Sequence, residues 1–176
     1  MPLEPTLHVV LHEPEIPPNT GNIGRTCVAI GAKLWLVRPL GFSLNDYYLR
    51  RAGLDYWEKL DWEAVDSWTH LLERLPREPD WLFSARASRL YTSVHYERGC
   101  VVVFGSETSG LPRAIVEPRA DRTLLIPSRP DVRSLNLSNA AAIVCYEAVR
   151  QWGPGAIMDR PTPADKPASG GNTTPA

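Results

Sequence analysis

The chain has 176 residues, of which 43% are apolar, enough to bury one core, so a single domain is expected. Its net charge of -1 rules out a global basic field of the kind that drives nonspecific nucleic-acid binding, so any RNA contact must rest on local patches. Three scattered cysteines, Cys27, Cys100 and Cys145, form no C-x-x-C pair and argue against a disulfide framework or a zinc site, so no metal is expected.

The basic residues are sixteen Arg against three Lys. Arginine's planar fork suits phosphate and stacks on bases, although the coding bias of a GC-rich genome explains the same ratio. No basic segment leads into an apolar one at the N-terminus, and no apolar run approaches the length of a membrane span. A cytoplasmic protein is the expectation.

In chain order, Leu7 to Leu11 reads as a first strand, ended by the proline-rich turn from Glu13 to Pro18. Asn19 or Thr20 is then placed to cap a helix that runs to about Ile30 and stops at Gly31. Leu34 to Val37 is a second strand, and strand, helix, strand in so short a span argues for a right-handed parallel βαβ unit. A short helix is expected from Leu44 to Arg51 and a longer one from Glu63 to Leu75. Trp81 to Ala85 and Val101 to Phe104 are continuous apolar runs, as for strands covered on both faces.

A helical turn after Pro112, a strand from Thr123 to Ile126 and a final helix from the Ser138 cap to about Trp152 complete the pattern. That last helix is apolar on most sides, which calls for burial in the domain or against a second subunit. The organisation expected is an extension over 1–6, a domain over 7–152, and a Pro/Gly-rich disordered tail over 153–176. The fold class is α/β: one domain with a mainly parallel sheet flanked by helices.

Three segments concentrate small and polar residues. Asn19-Thr20-Gly21-Asn22-Ile23-Gly24-Arg25 lies at the first strand-to-helix junction, where glycine allows close approach and backbone N–H groups favour anions. Gly105-Ser106-Glu107-Thr108-Ser109-Gly110 has the spacing of a phosphate loop, but Leu111-Pro112 replaces the Lys-Ser/Thr that nucleotide hydrolysis requires. The dinucleotide fingerprint is also absent, which disfavours hydride transfer. Ile126-Pro127-Ser128 and Arg133-Ser134-Leu135-Asn136-Leu137-Ser138-Asn139 crowd polar groups before the last helix. Each segment alone is equally consistent with caps and turns.

Taken together, the three resemble the signature motifs of the SPOUT class of methyltransferases, in its ribose 2'-O branch. His12 to Asn22, Arg50 to Tyr56 and Tyr146-Glu147-Ala148 are similar to stretches of the bacterial tRNA wobble-nucleotide 2'-O-methyltransferases, and the resemblance spans roughly residues 7 to 157. It implies a C-terminal trefoil knot, which nothing in periodicity predicts, and S-adenosylmethionine as cofactor. By position it puts the cofactor against Ala85, Gly105, Ile126, Ser134 and Leu135, and assigns substrate binding to Asn19, Glu107 and Asn136. It makes Arg25 the catalytic residue, although a guanidinium is always protonated and has no lone pair to take a proton. Clamping the neighbouring phosphate is the alternative role. The substrate implied is a tRNA anticodon loop, in leucine tRNAs, methylated at cytidine or uridine 34, and the enzyme a homodimer. Arg50, Arg51, Arg86, Arg89, Arg129 and Arg133 are candidates for gripping RNA phosphates. A different tRNA or ribosomal ribose, or a noncatalytic RNA-binding module on the same fold, are the alternative readings.

Overall fold

The computed structural model describes residues 4–44 and 56–158. Most of the helix expected from Leu44 to Arg51, both Arg50 and Arg51, and the tail beyond 158 lie outside the described residues.

Among the described residues seven strands form one sheet in which every neighbouring pair is parallel: β1 (His8–His12), β2 (Lys33–Val37), β3 (Trp62–Val65), β4 (Trp81–Phe83), β5 (Arg89–Leu90), β6 (Val101–Phe104) and β7 (Thr123–Leu125). Their order across the sheet is β3-β2-β1-β6-β4-β7-β5. Parallel neighbours need crossovers, and helices that make them cover both faces. Helix α1 (Pro17–Ile30) packs alongside α4 (Leu137–Trp152) on one face. Helix α2 (Trp68–Arg74) and the single turn α3 (Arg113–Val116) lie on the other.

The apolar runs that look featureless in sequence separate by alternation once pleated. Val9, Leu11, Leu34, Leu36, Val102 and Phe104 join the core under α1 and α4, whereas Val10, Trp35, Val37, Val101 and Val103 pack towards Leu71, Leu75 and Ile115. All three cysteines are buried and unpaired, and burial pushes the Cys100 and Cys145 thiols up to about 12. They act as small core residues.

Three local expectations need correction. Helix α1 starts at Pro17, ahead of Asn19, because prolines fit a first turn whose N–H groups have no helical partner. Its cap position is Ile16, with no side-chain cap, and Asn19 is engaged elsewhere. The segment expected to be helical from Glu63 is first a strand, β3, paired with β2, and the helix begins after Ser67, whose hydroxyl accepts from the His70 N–H. The last helix is capped by Asn136 instead of Ser138. Gly31 does close α1, at φ 72°, in the left-handed region that glycine reaches freely. Residues 154–156, at the head of the stretch expected to be tail, form a 3-10 turn whose Ala156 carbonyl accepts from Arg98.

Candidate functional site

Helix α1 opens on Pro17 and Pro18, which carry no N–H, so the backbone donors left to satisfy are those of Glu15 and Ile16 just ahead of it. The acceptor comes from the loop after β6: the Glu107 carboxylate takes the N–H of Glu15 at 2.8 Å and of Ile16 at 3.2 Å. The positive end of the helix favours a carboxylate at this place. The same carboxylate accepts from the Asn19 amide at 3.0 Å, and the Asn19 carbonyl oxygen accepts from Asn136 Nδ2 at 2.9 Å. Glu15 returns the contact, accepting from the Thr108 N–H and hydroxyl. Arg133 donates to the Thr108 carbonyl at 2.7 Å. The three sequence segments are thus joined by one hydrogen-bond chain, of which Asn19, Glu107 and Asn136 are the links.

Beside this chain lies a cleft of about 510 Å3 at the C-terminal ends of β4, β6 and β7, the end at which open parallel sheets bind ligands. Phe83 and Phe104, stacked at 4.7 Å, lie at its base. Ala85, Gly105, Ile126, Ser134 and Leu135 all line it, and so do Asn19, Glu107 and Asn136. Gly105 is sterically required: a Cβ there would stand 2.1 Å from the Gly110 carbonyl carbon, because the loop folds back through a Ser106–Gly110 bridge. Leu137 and Ala140 of α4 also line the cleft, which the sequence did not signal, since apolar residues there read only as core.

The cleft suits S-adenosylmethionine in chemistry and size. Its volume is that of a small-molecule site. Apolar Phe83, Leu135 and Leu137 offer a surface for a flat ring, and the loops after β4, β6 and β7 bring backbone groups and hydroxyls for the polar remainder.

Arg25 is not part of that lining. It lies on the exposed side of α1, about 9 Å further along the axis than Asn19, with its guanidinium 4.7 Å from the Tyr56 ring centroid. Of the arginines considered for phosphate contact, Arg86 and Arg133 line the cleft. Arg89 lies over Trp81 and donates to the Asp121 carbonyl, and Arg129 pairs with Asp131. Among the described residues no group of three or more His, Cys, Asp or Glu is placed to hold a metal ion, and no helix is long and apolar enough to cross a membrane.

Residues 6–146 match the model of the SpoU rRNA Methylase family. Over 150 residues the chain is 47% identical to the tRNA (cytidine(34)-2'-O)-methyltransferase of Saccharophagus degradans, covering 83% of this chain and 96% of the relative. A solved structure concerned with the 2-OH methylation of C/U34 on tRNA is 46% identical with a TM-score of 0.76, covering 83% of this chain and 95% of the other. The SpoU methyltransferase AviRb of Streptomyces viridochromogenes, solved in complex with AdoMet, is 25% identical with a TM-score of 0.75, covering 85% of this chain and 59% of the other.

Proposed function

Because the chain belongs to the SpoU rRNA Methylase family, we propose that it methylates the ribose 2'-hydroxyl of nucleotide 34, the wobble position, in tRNA, with S-adenosylmethionine as donor. The observation that carries this reading is the cleft itself, where three segments distant in sequence share one hydrogen-bonded wall beside a stacked aromatic base. The cofactor supplies an electrophilic methyl on a sulfonium centre. Ala85, Gly105, Ile126, Ser134 and Leu135 hold it, with Gly105 keeping the loop narrow.

Asn19, Glu107 and Asn136 fix the cleft wall on which the nucleotide is held, and they bind it there. The hydroxyl must lose its proton as it attacks, and a guanidinium has no site to receive one. Arg25 therefore serves best by clamping the adjacent phosphate and lowering the hydroxyl's pKa, with water or phosphate oxygen taking the proton. Reading an unpaired anticodon base fits the general rule that RNA specificity is taken from unstacked nucleotides. Arg86 and Arg133 at the cleft are suited to the loop's phosphates.

The working form is a homodimer. Ile143 and Tyr146 stand exposed on α4, at 36% and 52%, about one and two turns beyond the Ala140 that lines the cleft. A second chain on this face borders the cleft, and its own α1, packed beside α4, brings the partner's Arg25 towards a site that its own chain's Arg25 does not line. Family membership also implies the trefoil knot, and the cytoplasm is where the substrates are. The test is incubation of the purified protein with labelled S-adenosylmethionine and leucine tRNA anticodon stem-loops, followed by nucleoside analysis. A 2'-O-methylated nucleotide 34 is expected. Methylation of a different ribose would retain the chemistry and overturn the substrate, and no transfer to any tRNA or ribosomal RNA would overturn the reading.

A further inference from the structure

Arg25 follows Gly24 on α1, and the two residues meet the same short segment, 56–60. A Cβ at Gly24 would stand 3.0 Å from Leu60 Cδ2 and 3.2 Å from a Trp57 ring carbon, so this segment lies directly on the helix backbone. Leu60 is buried, and the Trp57 ring meets that of Trp62, the first residue of β3, at 5.4 Å. The turn is closed by the Lys59 N–H donating to the Tyr56 carbonyl. Tyr56 is therefore held by a fixed scaffold while its ring reaches the Arg25 guanidinium.

We propose that Tyr56 is a positioning residue for the methyl transfer, its ring face holding the Arg25 guanidinium ready for the RNA. The inference rests on the role given to Arg25 above. An exposed arginine is free to sample many rotamers, and fixing one at the moment of reaction costs entropy. A carboxylate partner would fix it too, but would occupy its N–H donors and offset its charge. An aromatic face restrains the group through its π-system and leaves the in-plane donors available for a phosphate.

The test uses the full-length protein and tRNA, comparing wild type with Tyr56→Phe, Tyr56→Leu, Tyr56→Ala, Arg25→Ala and the double variant Arg25→Ala/Tyr56→Ala. Steady-state rates are read beside thermal melting and calorimetric cofactor binding. Loss of the ring should lower kcat roughly tenfold while KM for tRNA changes less than about twofold, and Tyr56→Phe should stay within about twofold of wild type. Cofactor affinity should be unchanged, and the double variant should be no slower than Arg25→Ala alone. If Tyr56→Ala does not fold, Tyr56→Leu decides, because it keeps bulk at the position without the π-face. A normal kcat in Tyr56→Leu, an equal loss in Tyr56→Phe, or a further loss in the double variant overturns the proposal while leaving Arg25's role intact. Near-normal turnover by Arg25→Ala overturns both.

Discussion

The carboxamide of Asn136 is divided between two tasks. Its oxygen accepts from the Ser138 N–H at 2.9 Å and the Asn139 N–H at 3.3 Å, capping α4, and its nitrogen donates to Asn19. Asn136→Ala removes both at once. Loss of the cap alone costs about 1 kcal/mol, and the Asn19 oxygen, on a buried residue, is left without its donor. Urea denaturation should therefore show a loss of roughly 1–3 kcal/mol, and calorimetry a weaker affinity for S-adenosylmethionine because Asn136 lines the cleft. Unchanged stability and affinity would remove Asn136 from the wall. At this scale the sequence disclosed residue types and little of the pairing. Asn19, Glu107 and Asn136 are recognisable as polar motif positions, but that Glu107 takes the N–H groups just ahead of a helix begun some ninety residues earlier follows from the sheet order alone.

Elements were legible wherever burial on both faces produced an apolar run, as in β1, β2, β4, β6 and β7. They were obscured where an edge strand carries mixed residues. In β3 the sequence Trp-Glu-Ala-Val has no clear alternation, Glu63 is held by Lys33 and Arg74, and the helical residues that follow Ser67 extend the apparent period backwards. β5, two exposed residues beside β7, has no signal at all. Near the end of α4, Glu147 accepts from Arg150 twice and from Gln151, all at 2.8 Å, and Gln151 spans to the Val94 carbonyl and the Tyr96 N–H. The Arg150 hydrogen bonds hold the Glu147 carboxyl below the usual glutamate range, against a smaller opposing effect of burial. The folded chain then binds this proton less readily than the unfolded one. Its contribution to stability is complete above the ordinary glutamate value of about 4.3 and disappears as pH falls through the lowered folded value. Glu147→Gln should thus be less stable than wild type at neutral pH, with the gap closing in acid. Urea midpoints measured across that range check this, and a gap independent of pH would exclude the ionic contribution.

For the whole molecule, the apolar character of α4 in sequence fits both its core side, where Ala141, Val144, Cys145 and Ala148 are buried, and its exposed residues Ile143 and Tyr146. Periodicity cannot say which apolar residues of a mostly apolar helix face a second subunit. The position of Arg25, outside the lining of its own chain's cleft, makes the distinction functional, because in the proposed homodimer a partner seated on the α4 face would bring its α1 near each cleft. Coexpression of two defective chains discriminates between the arrangements. An Arg25→Ala chain keeps its cleft and lacks the arginine. A Gly105→Ala chain keeps the arginine, but its cleft is deformed, because the added Cβ meets the Gly110 backbone and the loop must open. If the arginine acts across the interface, a mixed dimer has one working site, formed by the intact cleft of the first chain and Arg25 of the second. Random assortment makes about half of the dimers mixed, so activity should recover to roughly a quarter of wild type although each variant alone is inactive. If Arg25 serves its own chain's cleft, neither site in the mixed dimer is complete and no activity returns. Sedimentation of Tyr146→Asp as a monomer that still binds S-adenosylmethionine but transfers no methyl group would tie the same result to the α4 face, whereas a fully active monomer would exclude any shared site.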